Sequence, residues 1–192
     1  MSELNYLRIA MDVKEQKSAL RKAMFDQRRK LDLSVKEKYD LEICDRLEQL
    51  ILRENCRVVH SYIPIAGEID ITPLLQKLMQ KGITVICPKT LPKRKLENRI
   101  LYSLEELETG IMGTKHPIKP ELHTGGYDLI IVPGLAVDKN RYRLGYGGAY
   151  YDSFLSNHPG SLKVGIFYTF QELDSVPVEP HDVQLDIVLK GG

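Results

Sequence analysis

Apolar residues recur at helical spacing through roughly the first 55 residues of the chain. One stripe is made by Leu20, Ala23, Met24 and Leu31, and a second by Leu41, Cys44, Leu47, Leu50 and Ile51. Side chains three or four residues apart lie on one face of a helix, so each stripe predicts a helix that buries one face. The segment "LDLS" interrupts the pattern between the two helices.

After this region the pattern changes to short runs rich in β-branched residues. The runs are "RVVHSYIPI", "ITVICPKT", "YDLIIVPGLAV", "LKVGIFYTF" and "DIVLK". Several lack alternating polar positions, which indicates strands buried on both faces, as in a parallel sheet.

Segments with helix signals separate these strands. In "TPLLQKLMQKG", Thr72 is predicted to cap the helix N-terminus, Pro73 suits the first helical position, and Gly82 suits the end. A short helix is predicted at "SLEELETG", and another from Ala149 to about Asn157, before "HPG". Strands that alternate with helices predict an α/β, three-layer Rossmann-like fold. We expect a mostly parallel central sheet with the N-terminal helices packed on it, in a single domain spanning 1–192.

Composition and charge narrow the class of protein. The 192 residues are 43% hydrophobic and 28% charged, as in an ordinary globular domain, and the net charge of +1 gives no reason to expect nucleic acid. No apolar run is long enough to span a membrane, and "MSELNYLRIAMDVKEQ" lacks the apolar core of a secretion signal. Cys44, Cys56 and Cys87 form no CxxC pair, which argues against disulfides and a zinc site. A cytoplasmic protein is therefore expected.

Three polar segments follow predicted strands: "PIAGEID", "RLGYGGAYYD" and "EPHDVQLD". Ligands of open α/β sheets collect at the carboxyl ends of the strands. These segments are therefore predicted to form a binding site together.

The glycine-rich decamer Arg143–Asp152 has the composition of an anion site. Gly145, Gly147 and Gly148 would let backbone N–H groups approach a phosphate, and Arg143 adds a fork of donors. The spacing matches neither a Walker A motif nor GxGxxG, and glycine turns that only join a strand to a helix are common. Asp152 has two interpretations, as an acid in the first helical turn or as a ligand of a phosphate-bound Mg²⁺.

Lys17 and Arg21 lie one helical turn apart, so both project from the same face. With Lys14, Lys22 and Arg28 nearby, the pattern is typical of a solvated basic face. A bound anion between the two cations is the alternative.

Some of the remaining polar candidates also allow two interpretations. Glu68 at a strand end would accept hydrogen bonds from a heterocycle, whereas Asp70 belongs with Thr72 at a helix start. His60, inside an apolar run, is predicted to be a hydrogen-bonded core residue. His181, Asp182 and Asp186 form either a functional cluster or a polar turn before an edge strand, with Asp186 interpreted as structural. Tyr146, Tyr150 and Tyr151 either line a pocket for a flat ring or pack the helix start.

Taken in order, these segments resemble the 5-formyltetrahydrofolate cyclo-ligase family, also called methenyltetrahydrofolate synthetases. The family has a Lys-x-x-x-Arg pair on its first helix, here "KSALR", and a strand leading to a Glu, here "SYIPIAGEID". It continues with an Asp-Leu-Ile-x-Val-Pro strand, the glycine motif and a His-Asp motif, here "DLIIVPGLAVD", "RLGYGGAYYD" and "PHDVQLDIVL". The pieces follow family order over nearly the whole chain.

The resemblance implies an enzyme that uses Mg²⁺ and ATP to cyclise 5-formyltetrahydrofolate to 5,10-methenyltetrahydrofolate, with release of ADP and phosphate. It implies ATP contacts from Lys17, Arg21, Arg143, Leu144, Gly145, Tyr146, Gly147, Gly148, Ala149, Tyr150 and Tyr151. It implies folate contacts from Ile63, Glu68, Tyr146, Gly147, Gly148, Ala149 and Tyr150. Asp152 and Asp182 would hold Mg²⁺, and Arg143 and Tyr151 would act in catalysis. Expected partners are small molecules only, with neither nucleic acid nor membrane, and the chain is expected to be a monomer or weak homodimer.

Four positions depart from the family pattern. The family commonly has Gly at Arg141 and Ala149, Arg at Ser153, and Glu at His116. We expect a negative φ at Ala149, where alanine suits a helix start better than glycine. The departures leave two alternatives to the cyclo-ligase: a weak or inactive folate- or nucleotide-binding paralogue that acts by sequestration or regulation, and an enzyme acting on another formylated or carboxylated heterocycle.

Overall fold

A computed structural model describes residues 12–65 and 67–192. Its α-helices are α1 (Val13–Lys30), α2 (Leu33–Arg53), α3 (Thr72–Gln80) and α4 (Tyr150–Ser156), and short 3₁₀ turns lie at Ile111–Gly113 and Thr169–Gln171. Asp12 caps α1 through the backbone N–H of Glu15, and Asp32 caps α2 through Ser34 and Val35. The predicted break at "LDLS" is therefore confirmed, with Asp32 starting a new helix. The predicted helical content of residues 1–11 lies outside the described residues.

The strands lie in three sheets. They are β1 (Val58–His60), β2 (Thr84–Leu91), β3 (Lys95–Ile100), β4 (Leu107–Thr109), β5 (Lys115–Pro117), β6 (Leu129–Val132), β7 (Ala136–Asp138), β8 (Arg143–Leu144), β9 (Leu162–Tyr168), β10 (Glu172–Leu173) and β11 (Ile187–Gly191). The central sheet has the order β11-β9-β6-β1-β2-β3. Its first five strands run parallel, with Val59 opposite both Val85 and Leu129, and only β3 is antiparallel. The mostly parallel sheet predicted from the apolar runs is confirmed.

Helices cover both faces of the central sheet and make the predicted three layers. On one face, α2 and α3 bury their apolar stripes against Val59, Val85, Leu129 and Ile131. On the other face, Phe154 and Leu155 of α4 pack against Ile86, Ile130, Val132 and Phe167. The α/β class is thereby confirmed, and each face of the sheet has its own apolar core.

Helix α1 does not follow the expectation that both N-terminal helices pack on the central sheet. Its Met24 is buried with Leu135, Ala136 and Leu144, which belong to the segment around the small sheet β10-β7-β8. The small sheet arises because the chain turns back through β7 and β8 after β6, before it enters α4. This arrangement places α1 beside the glycine motif.

The segment between β2 and β6 was predicted wrongly. "SLEELETG" contains no helix; Leu107–Thr109 pairs with Lys115–Pro117 as an antiparallel ribbon, and β3 was missed altogether. Strand β3 alternates charged and apolar residues, and it lies at the sheet edge, where a continuous apolar run is not needed.

Smaller details at element ends were also tested. Thr72 is the first residue of α3 and not its cap, because Asp70 Oδ1 accepts from both its N–H and its hydroxyl. The predicted partnership of Asp70 with Thr72 is thus confirmed. Cys44, Cys56 and Cys87 are buried free thiols, as expected. Within the described ranges, no helix combines the length and apolarity needed to cross a bilayer.

Candidate active site

One pocket of about 440 Å³ opens at the carboxyl edge of the parallel strands. All residues predicted for the site line it: Lys17, Arg21, Ile63, Glu68, Arg143, Leu144, Gly145, Tyr146, Gly147, Gly148, Ala149, Tyr150, Tyr151, Asp152 and Asp182. They come from α1, from the loop after β1, from β8 through α4, and from the segment before β11. The structure therefore brings the three polar segments together, in a cavity whose size is typical of small-molecule sites.

The glycine loop approaches α1 closely. Arg21 Nε donates to the Gly145 carbonyl at 2.9 Å. Gly147 has a φ of +100°, and a Cβ built there would lie 3.2 Å from Cζ of Arg21. Glycine at 147 thus serves both the backbone conformation and the close packing of a cation on the loop.

Arg143 is a buried cation that does not use all of its N–H groups in hydrogen bonds. It is 5% exposed, and its Nε and Nη2 find no hydrogen-bond acceptor among the described residues. Nη2 lies 3.1 Å from Oδ2 of Asp152 as an ion pair, and the guanidinium Cζ lies 5.7 Å from the Tyr151 ring centroid. Buried donors are normally satisfied, so Nε is available for an acceptor that enters the pocket, whereas Nη2 is already held by its ion pair with Asp152.

Lys17 does not belong to a solvated basic face. Its ammonium donates to Oδ2 of Asp182 at 2.6 Å and to Oε2 of Glu179 at 2.8 Å, and its side chain is only 8% exposed. Burial works against the charged form, but the hydrogen bonds to Asp182 and Glu179 prevail and raise the pKa of Lys17. The hydrogen bond from Lys17 lowers the pKa of Glu179. Of the proposed basic face, Arg28 is also buried, so the solvated interpretation was wrong for the side of α1 that faces the loop.

Two carboxylates of the pocket meet the chemistry of a magnesium site. Asp152 Oδ1 accepts from the N–H of Val183, the residue that follows Asp182, so the two acids belong to adjoining segments. Mg²⁺ in nucleotide sites usually takes one or two carboxylates and completes its shell with phosphates and water. Among the described residues no group of three His, Cys, Asp or Glu side chains is arranged for a metal. Asp152 and Asp182 are thus carboxylates of the type that such a site uses, and in this structure they pair with Arg143 and Lys17, respectively.

Glu68 also lines the pocket and is only 6% exposed. Its Oε2 accepts from the Ile65 N–H at 3.0 Å. Burial raises the pKa of Glu68, while Tyr146, the Ile65 N–H and Arg28 act in the opposite direction. The carboxyl is thus held at the pocket wall by the protein itself, with Ile63 beside it as an apolar surface.

The tyrosines of the glycine motif both line the pocket and tie its walls together. The Tyr150 hydroxyl donates to the Leu91 carbonyl at 3.0 Å, which connects the loop to the end of β2. The Tyr151 hydroxyl is buried without a hydrogen-bond partner among the described residues. Burial raises the pKa of Tyr151 well above its ordinary value, so this phenol is neutral, and its ring lies beside the Arg143 guanidinium.

Ala149 contradicts the expected negative φ. It has φ +53° and ψ +20°, the left-handed conformation, and it stands directly before α4. Gly148 was expected to supply one of the unusual dihedrals, but it does not. In this turn only Gly147 and Ala149 have positive φ. Arg141 has φ +64°, so both sites where the family commonly has glycine are left-handed here.

Residues interpreted as structural occupy structural positions. His60 is fully buried, its Nε2 lies 3.1 Å from Asn98 Oδ1, and burial lowers its pKa to about 3. Asp186 Oδ2 accepts from the Lys163 N–H at 2.7 Å and fixes the start of β9. Neither residue lines the pocket.

Several pocket residues were not foreseen. Arg94, Leu96, Met112, Thr114 and Lys115 form a further wall contributed by the antiparallel β3–β5 region. That wall was missed because this segment was expected to be largely irregular. Glu179 was missed because a carboxylate near a turn carries no distinctive spacing.

Known proteins share the sequence pattern and the fold of this chain. The sequence profile of the 5-formyltetrahydrofolate cyclo-ligase family matches residues 13–191. A 5-formyltetrahydrofolate cyclo-ligase of Mycolicibacterium smegmatis is 31% identical over 182 residues, which cover 90% of this chain and 92% of that protein. The NMR structure of Aquifex aeolicus 5,10-methenyltetrahydrofolate synthetase matches with a TM-score of 0.79 at 31% identity, covering 91% of this chain and 89% of that one. The Mycoplasma pneumoniae synthetase structure has a TM-score of 0.72 at 25% identity, covering 90% and 96%.

The chain therefore has the fold of an α/β ligase class whose solved members are methenyltetrahydrofolate synthetases. It belongs to the 5-formyltetrahydrofolate cyclo-ligase family. The relatives described above are all named as enzymes of this reaction, which favours the cyclo-ligase over the non-catalytic alternative.

Proposed function

We propose that this protein converts 5-formyltetrahydrofolate to 5,10-methenyltetrahydrofolate with consumption of ATP, in a Mg²⁺-dependent reaction. The observation that carries the proposal is the buried Arg143 guanidinium at the glycine loop, whose Nε has no acceptor among the described residues and whose Nη2 is held by an ion pair with Asp152. Family membership supports the reaction, and the pocket supports it because Arg143, Lys17 and Glu68 all line one cavity.

In the proposed reaction, the N5-formyl oxygen attacks the γ-phosphorus of ATP and ADP leaves. N10 of the folate then attacks the activated formyl carbon and loses its proton. Phosphate departs with the former formyl oxygen, which leaves the methenyl bridge between N5 and N10. Catalysis of phosphoryl transfer is mainly positioning and neutralisation of charge.

In this proposal, different residues of the chain contact the phosphates and the folate. Arg143, Lys17 and Arg21 neutralise the phosphates, and the loop from Leu144 to Tyr151 surrounds them. Asp152 and Asp182 would hold Mg²⁺, which would supply further charge neutralisation when bound. The neutral Tyr151 phenol donates a hydrogen bond to an oxygen that gains charge in the transfer.

We propose that Glu68 and Ile63 recognise the folate heterocycle. Glu68 accepts hydrogen bonds from ring or amino N–H groups, and Ile63 packs against the flat ring. Tyr146, Gly147, Gly148, Ala149 and Tyr150 stand between the two substrates, where close backbone approach brings the formyl oxygen to the γ-phosphate. The substrates are small molecules, and we propose a cytoplasmic enzyme.

The test is a direct assay of the purified protein with Mg²⁺, ATP and 5-formyltetrahydrofolate. The absorbance of methenyltetrahydrofolate should increase, with one ADP formed per product. Arg143→Met should abolish turnover, while Asp186→Asn, outside the pocket, should retain it. Absence of product from the unaltered protein at high enzyme concentration overturns the proposal. Tight folate binding without ATP consumption would instead support the sequestering alternative.

A further inference from the structure

The turn between β7 and β8 holds both ends of the segment 176–185, which lies before β11. At the first end, Asp138 Oδ2 accepts from the Val176 N–H at 3.1 Å. At the second end, the Leu185 N–H donates to the Arg141 carbonyl at 3.0 Å, and Arg141 Nε donates back to the Leu185 carbonyl at 3.0 Å. One short turn therefore fixes where this segment enters and where it leaves.

The segment 176–185 carries two acids of the pocket. Glu179 and Asp182 both accept from the Lys17 ammonium, at 2.8 Å and 2.6 Å. The turn that holds the segment leads directly into β8, which begins with Arg143. Hydrogen bonds at the ends of a loop oppose its local opening. The turn thus joins the part of the chain that carries Arg143 to the part that carries Asp182.

The backbone of the turn is itself fixed by a buried carboxylate. Asp138 is only 4% exposed, and its Oδ1 accepts from the N–H of Asn140 at 2.9 Å and of Tyr142 at 3.0 Å. These bonds hold the residues on both sides of Arg141. Gln184 Nε2 adds a further bond from the segment, to the Asn140 carbonyl at 2.6 Å. The Arg141 side chain therefore extends from a backbone of defined conformation.

Arg141 has a left-handed backbone and a side-chain contact that glycine cannot make. Its φ is +64°, a conformation that costs less for glycine, which the family commonly has at this position. Leu185, whose carbonyl accepts from Arg141 Nε, is only 1% exposed. Buried carbonyls are normally hydrogen-bonded, so the guanidinium satisfies a group that would otherwise need another donor. The arginine thus adds a bond to the segment at the expense of backbone strain.

We propose that Arg141 is a positioning residue that, through the Leu185 carbonyl, holds the segment 176–185 so that Asp182 stays in place for Mg-ATP. Arg141 acts from outside the pocket, whose described lining does not include it. This inference rests on the proposed function, because it assigns Asp182 to the Mg-ATP side of the pocket. Without the bond to Leu185, the end of the segment nearest Asp182 would open more often.

The first test is amide hydrogen exchange in the absence of nucleotide, with the unaltered protein and Arg141→Met. The amides of residues 182–185 should exchange about tenfold faster in the variant, while those of β6 and β9 should not change. Lys139→Met is the matched control, since Lys139 lies in the same turn and its loss removes the same charge. Its ion pair with Asp174 is exposed, so exchange at 182–185 should stay as in the unaltered protein.

The second test measures Mg-ATP affinity by calorimetry and the free energy of unfolding by urea, in Arg141→Met and Arg141→Gly. Both variants lack the bond to Leu185, so both should lose affinity about fivefold. Arg141→Gly should nevertheless be the more stable of the two, because glycine adopts φ +64° without the steric cost of a Cβ. Lys139→Met should keep the affinity of the unaltered protein.

A merely structural role for Arg141 predicts that affinity follows stability. Recovery of Mg-ATP affinity in Arg141→Gly would therefore overturn the inference, and so would unchanged exchange at 182–185 in both variants. If Arg141→Met does not fold, Arg141→Gly decides, because it should bind Mg-ATP more weakly and exchange faster than the unaltered protein. Failure of the unaltered protein to bind Mg-ATP would count against the proposed function, whereas the exchange rates would still decide whether Arg141 holds the segment.

Discussion

Arg143 and Asp152 form an ion pair across the glycine loop, with Nη2 and Oδ2 3.1 Å apart and side chains 3% and 13% exposed. Lys17 and Asp182 form a second such pair at 2.6 Å. Each pair joins a cation proposed for phosphate to a carboxylate proposed for Mg²⁺. In this structure the cations and carboxylates of the pocket neutralise each other. Mg-ATP would give both a new partner, with phosphate for the cations and Mg²⁺ for the carboxylates.

Asp152→Asn should impair catalysis by roughly a hundredfold in kcat/KM, because a metal ligand at the transferring phosphate is lost. Asp182→Asn should have a similar effect, and both variants should need more Mg²⁺ for half-maximal rate. The measurement is a magnesium titration at saturating ATP.

Asp186→Asn is the control for both variants. Its carboxylate holds the backbone of Lys163, so it should lower the melting temperature and leave the magnesium dependence unchanged. Loss of activity in Asp186→Asn with full activity in Asp182→Asn would show that the metal ligand had been assigned to the wrong carboxylate.

Glu179→Gln should bind metal-free ATP more tightly, by roughly threefold, because Glu179 competes with phosphate for Lys17. The gain in affinity should be smaller for Mg-ATP, since the metal offsets part of the repulsion between Glu179 and the phosphates. Calorimetric titrations with and without a chelator measure both affinities. Glu172→Gln removes a carboxylate that pairs with Lys190 outside the pocket, and it should leave both affinities unchanged. Equal effects of the two variants would point to net charge and not to Lys17.

Glu68→Gln should weaken folate binding by roughly 10- to 100-fold and yet stabilise the fold at neutral pH. Burial raises the pKa of Glu68 in the folded state, so ionising it costs folding free energy as pH rises from the unfolded pKa through the folded one. The stability gain should therefore be absent in acid, where the carboxyl is neutral in both states, and complete above the folded pKa. Urea unfolding at several pH values measures it. A loss of stability at neutral pH would contradict the assignment of burial as the dominant cause.

Ala149→Gly should raise the free energy of unfolding by about 1 kcal/mol, because glycine adopts the left-handed conformation without the steric cost of a Cβ. Ala19→Gly, at an exposed position within α1, should lower it by about 1 kcal/mol. Chemical denaturation of both variants checks the opposite signs. The Michaelis constants of Ala149→Gly should change only a fewfold. A large gain in turnover would show that the native loop is impaired and would favour the binding-protein alternative.

The sequence predicted the sheet and the pocket far better than the turn within the pocket. Continuous apolar runs are a strong signal of buried parallel strands, and polar segments after such strands converge by geometry. The dihedral of Ala149 carried no local signal, because alanine normally favours a helix and only the surrounding loop imposes φ +53°. Family knowledge of a glycine at that position was the one available indication.

The same limits explain the other errors. "SLEELETG" has the composition of a helix, but Leu107–Thr109 pairs with a strand that was itself not predicted. Arg28 looks like any other cation on α1 until tertiary structure places Gly134 and Tyr146, both more than 100 residues away, against it. Contacts of this kind leave no mark on the spacing of residues along the chain.

The pairing of Lys17 with Asp182 joins positions 165 residues apart. A loop of this length closes late, because its entropy must be overcome before the contact contributes anything. During synthesis the central strands can associate while the segment before β11 is still missing, but the pair of Lys17 with Asp182 cannot yet form. The proposed magnesium site, which needs Asp182, is therefore completed only in the last stage of assembly.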